Sequence, residues 1–270
     1  MQIDLDIRPG QSLELLKELH ILTRDGKINQ DSRRKLKQVN HLFQFIEPLL
    51  KELGDRDLSL VDHGAGKSYL GFMIYDLFFR SLKQGTIYGI ETRPDLVTKS
   101  QELAKQCQFD RMKFFNLSVE ESTTSPLLPT EVDVVTALHA CDTATDDAID
   151  FALKKKAKFI VLVPCCQAEV ASVLRKNKGK NLSTNVLTEL FRHPLHTREF
   201  GSQATNALRS LRLESHGYQV NVTELIGWEH SMKNELIIAT FKDLPRNYPR
   251  ERMNQLLQKL NLEELQNRFA

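Results

Sequence analysis

The chain has 270 residues, 41% of them hydrophobic, and a formal charge of +2. That composition can bury one substantial core plus a flanking helical piece, and it is too near neutral for a chain that coats nucleic acid with basic residues throughout. No apolar run is long enough to cross a bilayer, and Met1-Gln2-Ile3-Asp4-Leu5-Asp6 lacks the positive and apolar regions of a secretory signal.

Apolar residues at Leu13, Leu15, Leu16, Leu19 and Leu22 predict a first helix that Gly26 ends. A second helix is expected over 31–53, with Pro48 as a candidate kink. Strand and helix signals then alternate. Strands are predicted at 58–61, 86–90, 112–115, 132–138 and 158–163, with helices at 69–82, 94–107 and 145–153. Residues 168–213 read as helical with polar loops around Gly179 and Gly201, followed by a hairpin-like pair at 218–226 and 235–241 and an outer helix at 250–269. This alternation argues for an α/β fold, a parallel sheet with helices on both faces. The division expected is a helical extension over 1–55, the α/β domain over 56–245 and a C-terminal helix over 246–270.

The strongest chemical signal is Asp62-His63-Gly64-Ala65-Gly66-Lys67-Ser68, after the first core strand. Glycines in a strand-to-helix turn let backbone approach a ligand and expose amides at the helix start. Gly66-Lys67-Ser68 imitates the tail of a phosphate-binding P-loop, but that motif needs glycine where Val61 stands. Glu91 follows the second strand, where a carboxylate can accept hydrogen bonds from ribose hydroxyls. A dinucleotide fingerprint would place a small residue at Tyr69, and Asp62 sits poorly beside a pyrophosphate. An acid there suits a cofactor carrying an ammonium group and a positive sulfur. Each position also has a plainer use: Asp62 or Ser118 as a turn cap, Glu91 as partner of Arg93 or cap of the helix at Pro94.

Asp62-x-Gly64-x-Gly66, then Glu91, then Asn116-Leu117-Ser118 resembles motifs I, II and III of class I S-adenosylmethionine-dependent methyltransferases. The resemblance implies a Rossmann-like seven-stranded methyltransferase sheet and S-adenosylmethionine as cofactor. It implies a binding set of Asp62, His63, Gly64, Ala65, Gly66, Lys67, Glu91, Leu117, Ser118 and Leu138. The glycine turn would carry the methionine part, Glu91 the ribose, and Leu117-Ser118 would border the adenine. Lys67 is open between reaching the methionine carboxylate and facing solvent.

At the ends of the fourth and fifth strands, His139-Ala140-Cys141-Asp142-Thr143-Ala144-Thr145-Asp146 and Pro164-Cys165-Cys166, with a looser match at Lys233-Asn234-Glu235, resemble a methyltransferase-domain family. That family contains the eukaryotic tRNA ribose methyltransferases and their methyltransferase-like relatives. Gln167 departs from it, standing where the tRNA enzymes continue with histidines, and their N-terminal zinc module is missing. The resemblance implies an RNA methyltransferase; a small-molecule or protein methyltransferase and a non-catalytic interaction module are the alternatives.

The catalytic candidates are His139, Cys141, Asp142 and Cys165. Methyl transfer by in-line displacement would rest on alignment, with His139 or Asp142 handling a proton. Attack by Cys141 or Cys165 on a pyrimidine ring needs a lowered thiol pKa. Zinc held by His139, Cys141, Cys165 and Cys166 is disfavoured by the adjacent cysteines, and no metal is assigned. Buried cysteines that merely fill the strand ends are the plain alternative.

Residues 200–209 are a candidate wall of the acceptor pocket. Trp228 either stacks on a base or packs under the terminal helix. The basic runs at 33–37, 154–156 and 176–180 read as solvated faces or phosphate tracks. The four cysteines do not form a secreted disulfide pattern, so a reducing cytoplasm is expected, with no membrane partner. Oligomeric state is not legible.

Overall fold

The computed structural model describes residues 7–138, 141–164, 167–181, 186–225 and 235–269. Its strands are β1 Ser59–His63, β2 Thr86–Glu91, β3 Met112–Asn116, β4 Val134–Leu138, β5 Phe159–Val163, β6 Tyr218–Glu224 and β7 Glu235–Phe241. They form one seven-stranded sheet in the order β3-β2-β1-β4-β5-β7-β6. The strands from β1 to β5 pair in parallel, while β7 runs antiparallel to both β5 and β6. The order reverses between β1 and β4, so a ligand crevice is expected at the carboxyl ends of those strands.

The helices are α1 Leu13–Glu18, α2 Gln30–Leu53, α3 Tyr69–Leu77, α4 Pro94–Gln106, α5 Val119–Thr124, α6 Thr143–Lys154, α7 Glu169–Asn181, α8 Pro194–Glu214, α9 Asn247–Lys259 and α10 Gln266–Phe269. All of β5, Phe-Ile-Val-Leu-Val, is buried, as a parallel strand covered on both faces must be. On β1 the faces diverge. Leu60 joins the core under α2, α3 and α4, while Val61 joins the core under α6, the period-2 alternation of a strand.

Three predicted helices are shorter than expected, for local reasons. α3 stops at Leu77, where Phe78 leaves helical geometry (φ −133°) before a separate turn at Phe79–Ser81. α1 starts at its Ser12 cap and gives way at His20, whose φ is +56°. Leu22 then bridges Ile28 instead of extending the helix. The C-terminal segment is α9, a turn through Leu260 and Leu262, and α10, not one outer helix. Met253, Leu257, Leu262 and Phe269 are buried with Val170, Leu174 and Leu208 of α7 and α8 in a third core. At the other end, α2 runs through Pro48 and places Leu36, Leu42, Phe43 and Ile46 in the same core as Leu60 and Phe72 of the α/β unit.

The loops expected around Gly179 and Gly201 are both corrected, for Gly179 lies within α7. Gly201 lies inside α8, and a Cβ there would stand 2.7 Å from the Ala171 Cβ. This glycine lets α7 and α8 approach rather than breaking a helix.

The candidate cofactor and acceptor sites

The turn from β1 into α3 is held in left-handed conformations at Gly64 (φ +68°), Gly66 (+57°) and Ser68 (+50°). Its sharp path leaves its amides facing the end of β2. The Ala65 amide donates to the Ile90 carbonyl (2.9 Å) and the Gly66 amide to Glu91 Oε2 (2.8 Å). Glu91 Oε1 receives the Arg93 amide (3.0 Å) and Arg93 Nε (3.2 Å). Burial pushes the Glu91 carboxyl up, but the bonds from Arg93 and Gly66 outweigh it and the net direction is down. Thr92 Oγ1 (3.4 Å) and Arg93 Nη2 (3.5 Å) donate to it as well, so the about four lone-pair sites of the carboxylate are taken up, and a ligand hydroxyl would have to replace the exposed Arg93 guanidinium.

Asp62 is a buried anchor. Its carboxylate accepts Thr136 Oγ1 of β4 (3.1 Å), Ser68 Oγ (3.1 Å) and the amide of Gly71. Burial raises its pKa to about 7 against the pull of those bonds, with the Glu91 charge adding to the rise. Gly71 makes this approach possible. A Cβ there would meet Ser68 Oγ at 2.5 Å and Asp62 Oδ2 at 3.4 Å. The close helix–strand contact that Tyr69 cannot make is therefore made two residues later.

A cavity of about 240 Å³ lies over this turn, lined by Asp62, Gly64, Ala65, Gly66, Lys67, Tyr69, Leu70, Arg93 and Leu138. Of the expected binding set it gathers Asp62, Gly64, Ala65, Gly66, Lys67 and Leu138, with Glu91 bonded to its floor through Gly66.

His63 turns to the other face. Its ring lies 5.3 Å from that of Phe151 on α6, and its Nε2 finds no partner among the described residues. Burial lowers its pKa to about 4, despite the opposing field of Glu91. Leu117 packs against the α6-side core. Ser118 forms a reciprocal capping box with Glu121 at the start of α5. Asn116 Nδ2 donates to the Glu91 carbonyl (2.9 Å), fixing β3 beside β2. α5, Thr136 and Gly71 are not among the predicted elements and site residues; the Ser118-x-x-Glu121 box marks the first and a polar residue inside an apolar strand marks the second.

At the β4–β5 rim, His139, Cys165 and Cys166 lie outside the described residues, as does Trp228. Cys141 is exposed. Asp142 adopts φ +49°, ψ −121°, a strained conformation for a residue with a Cβ. Its Oδ1 accepts the amides of Ala168 (2.9 Å) and Glu169 (3.2 Å), capping α7 across the chain. Its carbonyl accepts Arg209 Nη2 at 2.7 Å.

Arg209, fully buried on α8, also grips Asp146 through Nε (2.9 Å) and Nη2 (2.6 Å) and donates to Asn206 Oδ1 (3.2 Å). Asn206 donates in turn to Glu235. Asp146 and Glu235, quoted above for a family resemblance, thus meet on α8. Arg209 was missed: a charged residue between Leu208 and Leu211 on an amphipathic helix was its only mark.

The basic runs are partly neutralised. Lys156 pairs with Glu131 at 2.9 Å and Lys176 with Glu264 at 3.2 Å, while Lys155 is buried. No cluster able to hold a metal occurs among the described residues, and no helix among them is long and apolar enough to cross a membrane.

A family model described as a methyltransferase domain matches residues 34–173, more than half of the chain. The chain belongs to that family. The match includes the glycine turn, Glu91 and both strand-end segments. The sheet order and this membership make it a class I methyltransferase, and S-adenosylmethionine is the cofactor of that class.

A Bos taurus protein described as glutathione S-transferase C-terminal domain-containing protein is 24% identical over 241 residues, covering 80% of this chain and 35% of its own. A Homo sapiens protein of the same description is 23% identical over 234 residues, covering 80% and 35%. The methyltransferase domain thus spans about a third of the length of these relatives. Among solved structures, the magnesium protoporphyrin IX methyltransferase of Synechocystis PCC 6803 with bound SAH aligns at 12% identity and TM-score 0.49, over 84% of this chain and 94% of that one.

The residues fit the cofactor. Two carboxylates, Asp62 and Glu91, flank a glycine turn whose cavity has an apolar wall of Tyr69, Leu70 and Leu138. Lys67 and Arg93 line the same cavity, so it offers groups of both signs, as a nucleoside bearing hydroxyls and a zwitterionic amino-acid part requires.

Proposed function

We propose that this domain is an active enzyme that transfers a methyl group from S-adenosylmethionine to RNA. The observation that carries the reading is the cavity that the glycine turn and Asp62 line at the switch point of the sheet, with Glu91 bonded to Gly66 beside it. When bound, the cofactor supplies an electrophilic methyl group on a positive sulfur.

The chain's own residues do the holding. The Gly64–Gly66 turn offers backbone to the amino-acid part, Glu91 accepts ribose hydroxyls in place of the exposed Arg93 guanidinium, and Leu138 supplies an apolar wall. Asp62 keeps the start of α3 against β1 and β4. Catalysis then rests mainly on alignment of the acceptor, with His139 as the proton acceptor. Asp142 keeps one carboxylate oxygen on the amides of α7 and serves that alignment. RNA as the acceptor is supported by the tRNA-methyltransferase-like segments at 139–146 and 164–166. Exposed Lys67 and Arg93 at the cavity, with Lys99 in the adjoining cleft, support it further. A reducing, cytoplasmic setting belongs to the same proposal.

Isothermal calorimetry with S-adenosylmethionine and its demethylated product tests the cofactor half. The wild type binds both, and Gly64→Asp loses at least a hundredfold in affinity. A wild type that binds neither overturns the reading. For the RNA half, log affinity for a single strand falls linearly with log salt, with a slope of about −0.7 per phosphate neutralised. Salt-independent binding overturns it.

A further inference from the structure

The two edges of the sheet differ. On β3 the Ile87 amide takes the Arg111 carbonyl, so by alternation Met112 and Phe114 face outward. Both are occupied: the Met112 amide donates to the Phe109 carbonyl (3.0 Å), and Gln101 Nε2 donates to the Phe114 carbonyl (3.0 Å). The β6 edge has no such cover. We infer that β6 is a self-association edge, along which a second copy of this chain adds its own β6 antiparallel to the first. The inference goes beyond the methyltransferase reading and does not depend on it.

Hydrogen-bond alternation identifies the open groups. The Lys242 amide donates to the Gly217 carbonyl (3.2 Å), so Gly217 faces β7. In an antiparallel ladder every second residue does the same. The register is unbroken from Tyr218↔Phe241 to Glu224↔Glu235, which carries the alternation along the strand. Gln219, Asn221 and Thr223 therefore bond to β7, while Tyr218, Val220, Val222 and Glu224 turn their amides and carbonyls away from it. Among the described residues no hydrogen-bond partner meets those of Val220 and Val222.

An open edge is a template for another strand, and sheets guard such edges with lysine, proline, a bulge or a covering segment. β6, Tyr-Gln-Val-Asn-Val-Thr-Glu, has no lysine and no proline, and its register with β7 contains no bulge. Val222 is 48% exposed, although Val220 on the same face packs against the core under α6. A formal charge of +2 sets up little repulsion between copies.

The strand also complements itself. With a two-fold axis at Asn221, Val220 pairs with Val222 of the second copy and Tyr218 with its Glu224, and each pair exchanges two hydrogen bonds. Val222 is then covered by a valine, the two Asn221 amides meet at the axis, and Glu224 never opposes itself. Glu224 has no ion-pair partner among the described residues. The end at which it arrives carries Arg246, whose Nε lies 3.3 Å from where a Cβ on Gly217 would stand and whose own partner is the exposed Asp243. An unrelated extended peptide would gain the backbone bonds without the valine pair or the charge match. Because β6 runs parallel to β5, its carboxyl end lies at the rim of the cofactor turn. The antiparallel pair therefore points the two rims in opposite directions, and each copy keeps its own site.

Sedimentation velocity of the full chain over about 1–100 µM, the range suited to a small interface, should show the 31.0 kDa monomer giving way to a species of twice that mass. Val222→Pro removes an outward amide that β7 does not use, and Val222→Lys places a charge on the edge. Each should weaken dimerisation at least about tenfold, with the urea unfolding midpoint as the control for folding. Leu127→Lys, at a more exposed apolar residue on the loop after α5, should leave the dimer intact. Glu224→Arg and Arg246→Glu should each weaken it, and the double variant should restore it. Asn221→Cys places two thiols at the axis, where opposed Cα atoms are about 4.5 Å apart and within disulfide reach. Mild oxidation should link the copies, while Gln219→Cys, whose opposite is Thr223, should cross-link no more than the wild type.

A wild type that stays monomeric over that range, a dimer that survives both Val222 variants, growth into open-ended oligomers, or no gain in cross-linking from Asn221→Cys overturns the inference. So does a monomer that takes extended peptides along β6. None of these outcomes touches the methyltransferase reading, which falls only if the wild type binds neither S-adenosylmethionine nor its demethylated product.

Discussion

At the cofactor rim, Glu91 reaches Arg93 two residues away and Gly66 across 25, while Asp62 reaches Ser68 six residues on. Asp62 also reaches Thr136 across 74 residues. At the acceptor rim, Asp142 caps α7 across 26 residues, and Arg209 reaches back 63 to Asp146 and 67 to the Asp142 carbonyl. At the first rim the turn and its acid are marked by a short motif, while Thr136, which joins Asp62 from β4, is not. The second is held by one helix, α8, that reports to three other elements at once. A motif cannot reveal that, because no single segment contains the partners.

The largest expected effect breaks the second rim. Arg209→Met leaves Asp146 charged and unpaired in the core and should destabilise by about 3–5 kcal/mol, read from the urea unfolding midpoint. Arg209→Met with Asp146→Leu should recover most of the loss. If the single variant costs nothing, the rim does not depend on α8.

A pH series sharpens the contrast within the first rim. Asp62 has its folded pKa raised from 3.8 to about 7, so its contribution to stability is fully present below 3.8 and is lost as pH rises through about 7. His63, lowered from 6.5 to about 4, has the opposite sense: its contribution is present above 6.5 and is lost as pH falls through about 4. The two oppose each other across the mildly acidic range. His63→Leu removes one of them, and its stability relative to wild type should improve by about 3 kcal/mol between pH 7 and pH 4. A difference that does not vary with pH would contradict the buried neutral imidazole.

Gly71→Ala forces a methyl onto Ser68 and Asp62 and should cost about 1–3 kcal/mol, with a parallel loss of cofactor affinity. Gly201→Ala, crowding Ala171 in the α7–α8 contact, should cost a similar amount in stability and leave cofactor affinity near that of the wild type. The pair separates the rims by which readout moves.

The smallest effect divides two roles for Asp142. Asp142→Ala removes the cap on α7 and should cost about 1 kcal/mol. Asp142→Asn keeps an oxygen acceptor and should retain both stability and methyl transfer, because the capping bonds do not need the charge. Loss of transfer in a stable Asp142→Asn variant would return the proton-handling role to this residue.

By itself the sequence determined the strand–helix alternation and the Asp62-to-Ser68 turn with Glu91, and the resemblance those motifs carry implied the seven-stranded sheet. These depend on periodicity and on residues placed at the ends of consecutive strands, which a linear pattern records. Only the tertiary structure decided that Gly201 is a helix contact, that His63 faces Phe151 rather than the cofactor cavity, and that Asp142 is a cap. Only it brought Asp146, Asn206, Arg209 and Glu235 together. Those outcomes depend on which face of each strand a side chain takes and on which helix lies across it. The hydrophobic effect fixes those choices through the shared core, without leaving a local signal at the polar residues it brings together.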